Sequence, residues 1–136
     1  MPKMIFVNLP VQDVAASTAF YQALGFEKNE MFSNEQVSSM VWSETITIML
    51  LSHAYYATFT TKPIADAHKT SAALFALSRD SREDVDAIVA AAAAAGGETD
   101  LRAPQDMGFL YGRTFADLDG NVFEPMWMDM SAMPSG

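Results

Sequence analysis

The feature that most constrains this chain is that one pattern of elements runs through it twice. Met4 to Val11 is apolar and rich in β formers, and reads as a strand whose end or edge Pro10 marks. Asp13 then caps a helix predicted over Val14 to Leu24, with Phe20, Tyr21 and Leu24 on one face and Gly25 as its stop. Three short strands follow, at about Phe26 to Phe32, Val37 to Trp42 and Thr45 to Leu51, with turns at Ser33-Asn34-Glu35 and Ser43-Glu44. The stretch from His53 to Thr70 has no clean period and is predicted as a loop with at most one helical turn. Then the order restarts. Ser71 to Ser78 is an apolar strand, and Asp80 or Ser81 caps a helix from Arg82 to about Ala95 that turns Val85, Ile88, Val89 and Ala92 inward. Ala90 to Ala95 are strong helix formers, and Gly96-Gly97 ends them. Strands are predicted again over Glu98 to Arg102, Gly108 to Phe115 and Asn121 to Met128.

The two helix starts lie about half the chain apart, so an internal duplication of a β-α-β-β-β unit is the natural reading. At 136 residues the chain is expected to form a single domain over 1–130. Its modules span about 3–52 and 71–129, the 53–70 loop joins them, and 131–136 form a flexible tail.

Half the residues are apolar, enough for a real core. No apolar run approaches the roughly 20 residues of a membrane span, and the N-terminus lacks the layout of a signal peptide. The absence of Cys removes thiolate sites and disulfides, so a cytoplasmic protein is expected. Eight basic against seventeen acidic residues give a net charge of −9, which argues against nucleic acid or an anionic membrane as partner.

The run Asp117-Leu118-Asp119-Gly120-Asn121-Val122-Phe123-Glu124 carries the sharpest chemical signal. Asp, Gly and Asn make an ordinary turn. Glu124 is less ordinary, because it sits in the apolar strand Val122 to Met128, where a buried carboxylate must be neutralised, paired or bound to metal. It is either a general base or ligand clasp, or half of an ion pair for which Arg113 is the best partner. Phe109, Tyr111, Arg113 and Phe115 alternate and so share a strand face. If that face looks into a cavity, Tyr111 can stack or hydrogen-bond there and Arg113 can hold an anionic group. If it looks outward, they cover a helix or a dimer partner. His53 and His68 flank the aperiodic segment, where histidines are usually solvated. Met40, Met49, Met126 and Met128 read as core or pocket lining.

Val11-Gln12-Asp13, followed by Ala19-Phe20-Tyr21-Gln22-Ala23-Leu24-Gly25-Phe26, resembles the first-module signature of the vicinal oxygen chelate superfamily. That group includes glyoxalase I, bleomycin-resistance proteins and extradiol dioxygenases. The run from Asp117 to Glu124 is similar to its final hairpin and strand. The resemblance implies an α+β fold, in which two βαβββ modules form a curled mixed sheet around a cavity completed in a homodimer. It also implies metal ligands on the first and last strand of each module, at the places held here by Phe6, Met49, Leu74 and Glu124. Only Glu124 suits a hard or borderline cation. A shift by one or two residues would bring in Asn8 or His53, the latter in strand parity with Met49.

Glu124 and Tyr111 are therefore the catalytic candidates, and Arg113, Asn8, His53, Met49, Phe6 and Leu74 the ligand-binding ones. No cofactor or metal is expected, with Glu124 the ligand for a divalent ion if one binds. The expected function is binding of a small molecule in a β-sheet cavity. The alternatives are a metal-dependent enzyme resembling lactoylglutathione lyase or an extradiol dioxygenase, a metal-free protein sequestering a cationic antibiotic, and a metal-independent isomerase or lyase using Glu124 with Tyr111 or Arg113.

Overall fold

The computed structural model describes residues 2–132. The chain is mixed α+β and divides at Asp66 and Ala67 into two compact units, a boundary inside the aperiodic segment. The first unit runs β1 (Ile5–Val11), α1 (Val14–Ala23), β2 (Glu27–Lys28), β3 (Val37–Val41), β4 (Ile46–Ser52) and a single-turn α2 (His53–Tyr56). Its sheet has the order β1-β4-β3-β2, with β1 and β4 parallel and the other pairs antiparallel.

The second unit runs β5 (Leu74–Ser78), α3 (Arg82–Ala94), β6 (Glu98–Thr99), β7 (Gln105–Asp106), β8 (Leu110–Gly112), β9 (Phe115–Ala116) and β10 (Val122–Met128). Here β5 lies parallel to β10, β8 and β9 pair antiparallel with β10, and β7 and β6 flank β8 and β9. This is the same order as in the first unit, with the second and third strands each in two pieces. The repetition extends to the helix ends. Asp13 Oδ1 accepts the Ala16 N–H at 3.0 Å and Ser81 Oγ accepts that of Asp84 at 3.0 Å. Gly25 (φ 101°) and Gly96 (φ 99°) each follow a helix in the left-handed conformation that lets the chain reverse.

Two predicted strands end early and a third is interrupted, each for a local reason. The strand placed over Phe26 to Phe32 stops at Lys28, because Asn29 Oδ1 accepts the Met31 N–H at 3.2 Å and starts a 3-10 turn, Glu30–Phe32. The strand placed over Glu98 to Arg102 stops at Thr99, because Asp100 adopts φ 52°. The strand placed over Gly108 to Phe115 is interrupted at Arg113 and Thr114. Pro125 lies opposite Arg113 and has no N–H to give, so only the Arg113 N–H to Pro125 carbonyl bond of that pair forms, at 3.2 Å. The two pieces nevertheless keep one register along β10. Of the expected tail, 131–132 belong to a 3-10 turn, Met130–Ala132, and 133–136 lie outside the described residues.

In each unit one sheet face is closed by a helix. Phe20 and Tyr21 of α1 are buried with Leu9, Val11, Met40, Ile48 and Leu50. Val85, Ile88, Val89 and Ala92 of α3 are buried with Leu77, Phe115 and Phe123, the last two stacked at 5.3 Å between ring centroids. Fully burying one such side chain contributes about 1.5–3 kcal/mol. The opposite face of each sheet is left for other work.

Candidate functional site

Strand register decides which side chains share the open face of the first unit. Phe6 pairs with Thr47 and Asn8 with Met49, while Ser39 and Val41 of β3 pair with Met49 and Thr47. These six alternate with the helix-facing Leu9, Ile48 and Met40, so they project together from the other side. Together with Met4 and Phe32 they line a cavity of about 510 Å³. Its walls are aromatic, aliphatic and thioether, broken by the neutral polar groups of Asn8, Asn29, Ser39, Ser43 and Thr47. Among the described residues that line it, the one charged residue is Glu44, on the β3–β4 hairpin. A cavity of this size and chemistry suits a small apolar molecule with a few hydrogen-bonding groups.

His53 does not belong to this set. Strand parity with Met49 ends at Ser52, whose Oγ accepts the Tyr55 N–H at 3.2 Å and caps α2, so His53 is the first helical residue. Asn8, weighed in sequence beside the expected ligand places, does line the cavity, as do Phe6 and Met49.

On the second unit the face away from α3 carries Leu74 and Ala76 of β5 beside Val122 and Glu124 of β10. Leu74 is 54 % exposed. Glu124 forms an ion pair with Arg102, with side-chain exposures of 18 % and 47 %. Arg102 was not singled out by sequence reasoning, which placed it at a strand end. Its position depends on Asp100, whose left-handed backbone turns the chain, and on Thr114. Thr114 stands opposite Glu124 in the β10 register, and its Oγ1 accepts the Leu101 N–H at 2.9 Å. None of these signals is periodic in the sequence.

Arg113 and Tyr111 are therefore not companions of Glu124. Tyr111 pairs with Trp127 across the ladder, an odd number of residues from Glu124, which puts the two on opposite faces. The Tyr111 hydroxyl donates to Asp86 on α3 at 2.6 Å, and Arg113 bridges Asp86 at 3.0 Å and Asp100 at 2.7 Å. The hydrogen bond to Asp86 holds the Tyr111 phenol above its usual pKa, and the hydrogen bond from Arg113 holds the Asp100 carboxyl below its own. Arg82 lies over the Tyr111 and Trp127 rings, 5.1 and 5.3 Å from their centroids, and its bond to Asp106 lowers that carboxyl to about 2. The shared strand face expected in sequence is real, and it looks toward the helix.

The acidic turn is structural. Asp117 is 4 % exposed, and its carboxylate accepts the N–H groups of Asp119 and Asn121 and the Asn121 side-chain amide at 2.9 to 3.0 Å. Gly120 has φ 89°, and a Cβ there would stand 2.6 Å from the His68 nitrogen. His68 belongs to this close approach.

The residues present do not fit a divalent metal. Of the four places the resemblance assigns to ligands, Phe6 and Leu74 carry no donor, Met49 offers a soft thioether, and Glu124 faces a guanidinium. Among the described residues no group of three or more His, Cys, Asp or Glu converges as a metal site would require.

Comparison with known proteins agrees with this architecture. Residues 3–41 match the family model of the bleomycin resistance protein-like N-terminal domain. A hypothetical protein from S. aureus is 26% identical and superposes with a TM-score of 0.78, over 93% of this chain and 94% of its own. A glyoxalase/bleomycin resistance protein/dioxygenase family enzyme from Burkholderia phytofirmans is 25% identical with a TM-score of 0.75, over 93% and 99%. A protein from Agrobacterium tumefaciens is 27% identical with a TM-score of 0.71, over 94% and 98%. No curated protein matches the sequence.

Proposed function

We propose that this chain, whose residues 3–41 match the bleomycin resistance protein-like N-terminal model and whose fold is that of the vicinal oxygen chelate proteins, binds a small apolar molecule on its β-sheet surface without a metal ion, as a homodimer in the cytoplasm. The observation that carries this is the first-unit cavity of about 510 Å³, in which Phe6 and Met49 stand where a chelating member of the superfamily would need hard donors. The edge position of β1 and its exposed Ile5 and Phe6 support the homodimer. The missing ligand set argues against a lactoylglutathione-lyase-like or extradiol-dioxygenase-like reaction, since those chemistries stabilise charge on a metal-bound oxygen.

A cationic ligand, such as a sequestered antibiotic, is the second reading. The net charge of −9 and the Glu44 carboxylate in the cavity lining favour it.

Titration with a neutral and a cationic hydrophobic fluorophore tests both readings. Saturable binding is expected for at least one, weakened at least about tenfold in Val41→Trp, which fills the cavity, with the melting temperature retained. Equal binding to wild type and Val41→Trp would overturn the assignment. A preference for the cationic probe that vanishes in Glu44→Gln would establish the second reading.

A further inference from the structure

We propose that the Arg102–Glu124 pair of the second unit is a recognition site for the amide edge of a neutral ligand, a group presenting a carbonyl beside an N–H. The guanidinium carries five N–H donors and the carboxylate about four acceptor positions, so even a two-bond contact between them leaves donors and lone pairs on both. They stand side by side on a sheet face that includes Leu74, Ala76 and Val122. Arg102 is 47 % exposed and Leu74 54 % exposed, so the place is reachable. A ligand carbonyl can accept from Arg102 while its N–H donates to Glu124, and an attached apolar ring can lie on Leu74 and Val122.

The pair is neutral as a whole, which selects against ions. A carboxylate would meet Glu124 as well as Arg102, and an ammonium the reverse. The protein's net charge of −9 adds to the penalty on anions. The pair is also held rather than adventitious. Glu124 is fixed in the middle of β10 and is 18 % exposed, and the turn that delivers Arg102 is set by Asp100 at φ 52° and by the Leu101 bond to Thr114. Non-glycine residues in that backbone region gather at binding and active sites. All of these residues belong to the second unit, and the first-unit cavity contributes none of them.

The test is an NMR titration of the whole chain with benzamide, methyl benzoate and sodium benzoate, following the backbone amides of Arg102 and Val122 to Glu124. Benzamide is expected to shift them saturably and to bind at least about tenfold tighter than either other probe, the usual effect of a hydrogen bond to a charged group. Arg102→Met and Glu124→Leu should each abolish that preference. If Arg102→Met alone is too unstable, the Arg102→Met/Glu124→Leu double variant, which leaves a neutral apolar face, carries the same expectation. Tighter binding of benzoate than of benzamide, equal binding of all three, or a benzamide preference that survives the variants would overturn the assignment. Shifts confined to Phe6 and Met49 would also overturn it, while supporting the cavity of the first unit.

Discussion

At the scale of single residues, the ion pair on β10 behaves asymmetrically. Removing Arg102 leaves a carboxylate of 18 % exposure without its partner, whereas Glu124→Gln leaves an amide that still accepts from the guanidinium. Arg102→Met should therefore destabilise by about 1–2 kcal/mol after allowance for solvent screening, and Glu124→Gln by less, as read from urea unfolding. The reverse order would mean that the pair is a surface accident. Tyr111→Phe removes only the hydroxyl bond to Asp86 and should lower stability by about 0.5–1.5 kcal/mol while leaving probe binding in the first-unit cavity unchanged. A loss of binding in Tyr111→Phe would return Tyr111 to the site. Asp106 gives a pH signature. Its folded pKa of about 2 lies below the ordinary Asp value of about 3.9, so the stability it confers is present above the unfolded value and is lost as pH falls from about 4 to 2. The carboxyl carbon resonance of Asp106 should titrate near 2, and Asp106→Asn should remove part of the acid sensitivity in that window. A midpoint near 4 would contradict the Arg82 contact.

At the scale of elements, the hairpin before β10 depends on the close approach of two backbones. Gly120→Ala places a Cβ 2.6 Å from the His68 nitrogen at φ 89°, so strain of about 1–3 kcal/mol is expected together with a clash against main chain that cannot rotate away. An unchanged melting temperature would show that the 67–68 segment is free to move. Sequence made the helices legible, because caps and glycine stops are local: Asp13, Gly25 and Gly96 each act within a few residues. The faces of the helices were legible too, down to Val85, Ile88, Val89 and Ala92. What was not legible depends on pairing between distant strands. The alternation of Tyr111 and Arg113 could be read, but not which side of the sheet it faces, since that follows from register against β10 and from where α3 docks. Likewise Thr114, not Arg113, stands opposite Glu124, and the partner that neutralises Glu124 arrives from an irregular turn after Asp100. His53 looked aligned with Met49 only as long as β4 was assumed to continue past Ser52.

At the scale of the whole molecule, the repeat of one strand order in two units reflects a sequence that specifies the same β-α-β-β-β pattern twice, with different chemistry on the two open faces. The first unit presents Phe6, Val41 and Met49 around a cavity, and the second presents Leu74 and the Arg102–Glu124 pair. Among the described residues, neither face gathers the three or more donors of a chelating site. The most direct test of this account is elemental analysis of the purified protein combined with thermal-shift titration by Ni²⁺, Zn²⁺, Mn²⁺ and Fe²⁺. Less than stoichiometric metal and no ion-specific rise in melting temperature are predicted. One equivalent of a metal, with a rise of several degrees for that ion and not the others, would contradict the account, because only an ion bound to the folded state stabilises it in that way.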